Sequence, residues 1–102
     1  MTEEKNRDTD WDAVLKILGI IKSKITEETD LLWTNYNSAE ELIAEINIID
    51  NLLQDRNIKG VQVLGYLFAP TGTLQEIAMQ NDWIQEYLNL SSKFDTLYEN
   101  LK

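Results

Sequence analysis

The chain contains no cysteine and no histidine. The first absence excludes disulfide bonds and thiolate nucleophiles, and the two together remove the usual ligands of structural zinc. Without imidazole a serine lacks its ordinary general base, and no Ser-x-x-Lys pattern stands in for it. Proline occurs once, at Pro70, and glycine four times, so interruptions of regular structure are few. Bases are scarce as well: nine Lys and Arg face eighteen Asp and Glu, for a net charge of −9. No apolar run approaches the ~20 residues of a membrane-spanning helix. The N-terminal MTEEKNRDTD is polar where a secretion signal needs an apolar core. These absences predict a cytoplasmic protein with no membrane partner, no metal and no cofactor.

The charge is unevenly placed. From Ile25 to Asp55 there is no base, while Glu27, Glu28, Asp30, Glu40, Glu41, Glu45, Asp50 and Asp55 supply eight acids. Phosphate recognition requires clustered Lys and Arg, so nucleic acid is excluded as a direct ligand. A uniformly negative sector either keeps the protein soluble or steers it toward a partner with a basic surface.

With 102 residues and 43% apolar content the chain has room for one core. Residues 1–8 are expected to form a flexible N-terminal tail and residues 9–102 a single helical domain. Thr9 reads as the cap of a helix over about 10–25, with Asp10 and Asp12 at its positive pole and Trp11, Val14, Leu18, Ile21 and Ile25 on one face. Gly19 costs that helix about 1 kcal/mol relative to alanine, and close packing is the expected reason. Thr26-Glu27-Glu28 signals a second cap and a short helix from Glu27 to Tyr36. Ser38-Ala39-Glu40-Glu41 matches the capping box and opens a helix over 39–55, with Asn57 as its left-handed terminator.

The stretch from Gly60 to Trp83 is nearly uncharged and predicts a buried hairpin. Its first half fits a helix over about 58–68 better than a strand, because a lone strand has no partner in this chain. Ala69-Pro70-Thr71-Gly72 forms a turn, Pro70 presetting one corner and Gly72 supplying positive φ. Thr73 then caps a short helix through Met79. Over 82–100, Trp83, Tyr87, Leu90, Phe94, Leu97 and Leu101 alternate at four and three, a heptad seam. The fold class predicted is all-α, a compact bundle of about four principal helices with short extra turns.

Asp8, Asp10 and Asp12 imitate a calcium loop, but Ala13 and Gly19 stand where such a loop needs glycine and glutamate. The carboxylate pairs Glu41/Glu45 and Asp82/Glu86 sit one turn apart on polar helix faces and are expected to be solvated, so no catalytic residue is assigned and the protein reads as non-enzymatic. The backbone at Thr71–Thr73 suits a capped turn better than an anion site.

Among the aromatics, Trp11, Trp83, Tyr87 and Phe94 belong to core faces. Trp33 and Tyr36 lie in the base-free stretch, and with Glu40, Glu41 and Glu45 they form the predicted partner-binding patch, with Tyr66 and Phe68 as second candidates. In size, acidity, helical patterning and lack of cysteine the chain is similar in kind to bacterial immunity proteins and other inhibitors that neutralise a basic protein. That likeness implies a small acidic interaction module, an inhibitor or adaptor. The alternatives are a self-associating domain, a homodimer using the heptad seam, and a small-ligand site around the Tyr66–Thr73 turn.

Overall fold

In a computed structural model, which describes residues 2–31, 34, 36–69 and 72–101 with side chains from Asp8 onward, the chain forms five helices. They are α1 (Thr2–Lys24), α2 (Ala39–Gln54), α3 (Ile58–Leu67), α4 (Thr73–Gln80) and α5 (Ile84–Leu101). The described residues contain no strand, and the fold is all-α.

Helix α1 buries Trp11, Val14, Ile17, Leu18 and Ile21, with Ile25 buried just beyond its end. It begins at Thr2, so Thr9 lies inside it and does not cap it; residues 2–8, expected as a tail, have helical backbone. The apolar period starts only where the helix meets the core. Before that point Glu3, Glu4, Lys5 and Arg7 are simply good helix formers. Gly19 also departs from expectation: it is exposed, and a Cβ placed there meets nothing within 4 Å. Nothing in the structure explains this glycine.

Helix α2 starts as its sequence predicts, with the Ser38 hydroxyl accepting from the Glu41 amide at 3.3 Å. Its face of Leu42, Ile46, Ile49 and Leu53 is fully enclosed. Burial of each such side chain is worth about 1.5–3 kcal/mol. Helices α1 and α2 run antiparallel. Lys22 donates to Asn47 Oδ1 at 2.6 Å, while Arg56, beyond the end of α2, reaches Asp12 at 3.0 Å and Asp8 at 3.7 Å near the start of α1. Asp8 and Asp12 of the aspartate triplet thus serve this corner. Arg56, and not Asn57, is the left-handed terminator, with φ 55°. The amides of Arg56 and Asn57 bond back to Leu53 and Leu52 at 3.0 and 2.9 Å, which satisfies the last carbonyls of α2. Asn57 is already committed to the next helix, its side chain accepting from the Lys59 amide at 3.0 Å.

The expected hairpin of Gly60–Trp83 divides between two partners: α3 packs mainly on α2, and α4 on α5. Gly60 makes the first packing possible, because a Cβ there would stand 2.9 Å from the Leu52 Cβ. The turn is closed by the Gly72 amide on the Ala69 carbonyl at 2.8 Å. Pro70 and Thr71 lie outside the described residues. Gly72 has φ −80°, so positive φ is not its role; a Cβ there would lie 2.7 Å from the Ala69 carbonyl oxygen. Gly72 itself is the N-cap residue of α4, and Thr73 is the first helical residue with no side-chain cap. Asp82, with φ 65°, ends α4 in the left-handed region, and the Trp83 amide bonds back to Ala78 at 3.0 Å. At this junction the Gln80 amide and the Trp83 indole N–H are enclosed without a hydrogen-bond partner among the described residues.

Helix α5 lies antiparallel to α1, with Lys24 at the end of α1 pairing with Glu86 in the first turn of α5 at 2.7 Å. Of the heptad seam, Trp83, Tyr87, Leu90, Phe94 and Leu101 are buried within the chain, and Leu97 is half-buried. Among the described residues no helix is long and apolar enough to cross a membrane.

Candidate functional site

The segment between α1 and α2 carries the centre of the negative sector. No helix forms in its described part. Instead, the Thr26-Glu27-Glu28 signal resolves into a turn: the Thr29 amide donates to the Thr26 carbonyl at 3.0 Å, and the Glu28 amide to the Thr26 hydroxyl at 3.2 Å. A second turn follows, closed by the Thr34 amide on Leu31 at 2.9 Å. Threonine and asparagine side chains compete with helical hydrogen bonds in this way, and here they prevail. Asn81, at the end of α4, holds the segment in place. Its Oδ1 accepts from the Asp30 amide at 2.9 Å, and its amide group donates to the carbonyls of Asp30 at 3.1 Å and Ile77 at 2.8 Å.

Four of the five predicted patch residues come together where this segment enters α2; Trp33 lies outside the described residues. Tyr36 packs half-buried against the core and donates its hydroxyl proton to Glu45 Oε2. Glu41 accepts from the Asn37 amide at 2.8 Å, which completes the cap begun by Ser38. Tyr36, Glu41 and Glu45 are therefore engaged in bracing the segment on α2. Glu40 remains exposed and, with Glu27, Asp30, Leu31, Thr34 and Tyr36, lines a concavity of about 670 Å³. None of the described residues lining it is basic.

Burial, the hydrogen bond to Glu45, and the charges of Glu45 and then Glu41 all push the Tyr36 phenol far above its ordinary value of 10.0. A raised folded-state value means that Tyr36 contributes its full stability below pH ~10 and loses it as the pH rises further. At neutral pH, Tyr36→Phe is expected to cost about 1 kcal/mol, the net value of one hydrogen bond. The deficit relative to wild type should shrink as the pH passes 10. Urea titrations at intervals from pH ~7 to ~11 check this; parallel stability curves for the two proteins would remove the hydrogen bond as their cause.

The carboxylate pairs have structural duties of the same kind. Glu41 and Glu45 cap and brace, Glu86 pairs with Lys24, and Asp82 occupies a helix terminator. No group of three or more acidic side chains among the described residues is placed to hold a metal ion.

Two further grooves lie along α5. One, of about 470 Å³ between α1 and α5, is apolar, with Ile17, Ile20, Leu90 and Leu97 flanked by Lys16 and Lys93. The other, of about 550 Å³ between α3 and α5, is aromatic. Phe68, Phe94, Tyr66 and Tyr98 line it together with Gly65, Ser91 and Asp95. Phe94 stacks on Phe68 at 4.7 Å and meets Tyr98 edge-on at 5.7 Å. Tyr66 is 78% exposed, and Asp95 is exposed as well. Tyr66 and Phe68 are visible as candidates in the sequence. Ser91, Asp95 and Tyr98 are not, because only packing of α5 on α3 brings them beside residues some thirty positions earlier; the i, i+4 and i+7 spacing on one face of α5 is the only sequence signal that they share. No family model, curated protein or solved structure matches this chain.

Proposed function

We propose that this chain is a non-enzymatic protein-interaction module of the cytoplasm, an inhibitor or adaptor that binds a partner protein through the partner's basic surface. The observation that carries the reading is the concavity at the start of α2, whose described lining includes Glu27, Asp30, Glu40 and the apolar Leu31 and no base. Acidic side chains at an interface accelerate encounter and select partner charge, while apolar ones supply contact area. Self-association through the heptad seam is less well supported, since the monomer already uses five of its six residues in its own core.

The test is capture of partners by the tagged full-length chain from the lysate of its native cell, at low and raised salt, beside a Glu27→Gln, Asp30→Asn, Glu40→Gln triple variant. The expected result is a stoichiometric basic protein whose binding weakens with salt and falls about tenfold in the variant, from three charges at up to about 1 kcal/mol each. Capture of the chain alone, or of a protein indifferent to both salt and the variant, would overturn the reading.

A further inference from the structure

We propose that the groove between α3 and α5 receives the guanidinium of an arginine carried on a basic segment of the partner protein. This rests on the reading of the chain as a module for a basic partner, and it assigns a second contact to that partner. The groove joins two features that favour the same ligand. Aromatic faces attract a cation through their quadrupoles, and Asp95 offers a carboxylate at the rim. Among the described residues no lysine or arginine lines it, in contrast to the α1–α5 groove with Lys16 and Lys93.

The geometry of the groove is fixed before any ligand arrives. Gly65 lets the ring of Tyr98 lie against α3, since a Cβ at that position would stand 2.9 Å from the Tyr98 ring. Phe94 also packs edge-on against this ring. Tyr66, on the turn of α3 that carries Gly65, extends the wall into solvent at 78% exposure, the highest of the large hydrophobic side chains among the described residues.

Anions are disfavoured by Asp95 and by the net charge of −9. An uncharged apolar side chain would cover Asp95 without pairing it, which costs desolvation. Arginine fits better than lysine because its planar group stacks on tyrosine while its N–H fork bonds a carboxylate. At about 550 Å³ the groove has room for one long side chain and its flanking backbone.

The experiment is a titration of the ¹⁵N-labelled full-length protein with a peptide of alternating glycine and arginine, with its lysine and glutamine counterparts as controls. The arginine peptide should shift the amide signals of Gly65, Tyr66, Ser91, Asp95 and Tyr98, and the glutamine peptide should shift none of them. Tyr66→Ala and Asp95→Asn should each weaken binding about three- to fivefold, as does replacing arginine by lysine. Both positions are exposed, so the variants should keep the wild-type circular dichroism and melting temperature. Shifts confined to the segment of Glu27–Glu41, with both variants binding as wild type, would overturn the groove assignment and leave the acidic-module reading standing. Binding of no cationic peptide anywhere on the protein would overturn both.

Discussion

Phe94→Ala is expected to lower the stability of the protein by about 3–5 kcal/mol. Phe94 is 1% exposed and is the largest of the fully enclosed side chains among the described residues. Its removal deletes the apolar transfer energy of a whole ring and leaves a cavity between α3 and α5. It also ends the stack on Phe68 and the edge contact with Tyr98, each worth about 0.5–1.5 kcal/mol beyond area. Small domains hold about 5–15 kcal/mol in total, so this single change removes a large share. Urea denaturation should show a lower midpoint with an unchanged slope, and the melting temperature should fall by roughly 12 °C or more. Leu88→Ala on the same helix, where the side chain is 52% exposed, should stay within about 0.5 kcal/mol. A loss below about 1 kcal/mol for Phe94→Ala would mean that the α3–α5 contact is not as described.

Two alanine substitutions of glycine should move stability in opposite directions. At Gly60 the new Cβ would fall 2.9 Å from the Leu52 Cβ and 3.1–3.2 Å from two atoms of Leu53. The Leu52 Cβ is fixed to the α2 backbone and cannot rotate away, so α2 and α3 must separate. At Gly19 the new methyl enters open space in the exposed interior of α1. Both sites are helical, and alanine gains about 1 kcal/mol over glycine in either one. That gain cancels in the comparison. The difference between the variants isolates the overpacking at Gly60, about 1–3 kcal/mol. Gly19→Ala alone should raise stability by about 0.5–1 kcal/mol. Equal effects at the two sites would refute the close approach of α2 and α3.

The contrast between these glycines also marks where sequence reading ends. A sequence reports periodicity well, because an amphipathic face is local: Leu42, Ile46, Ile49 and Leu53 announce α2, and Trp83 through Leu101 announce α5. The Ser38 cap is legible for the same reason, since its partner Glu41 is three residues away. What a side chain meets across the core is not local. Gly19 and Gly60 look equally helix-breaking in sequence, yet one faces solvent and the other faces Leu52. The helix start at Thr2 escaped the periodic signal because residues 2–8 have no apolar face to display. The Thr26 cap signal was ambiguous by its chemistry, as threonine caps helices and closes turns with the same hydroxyl. At the candidate site the acids were visible one by one. The pairing of Tyr36 with Glu45 and the convergence of Tyr66 with Asp95 required the fold.

The hold of Asn81 on Asp30 has a consequence for the acidic face. Fourteen residues, 25–38, separate α1 from α2, and an untethered connection of that length would sample many shapes. Two hydrogen bonds between the Asn81 side chain and the Asp30 backbone tie it to the end of α4, a third holds that side chain on Ile77, and Tyr36 bonds to Glu45 of α2. Both tethers act before a partner arrives, one on the backbone of Asp30 and one on the side chain of Tyr36. Groups already held in this way give up less entropy when a partner docks, so more of the contact energy is kept as affinity.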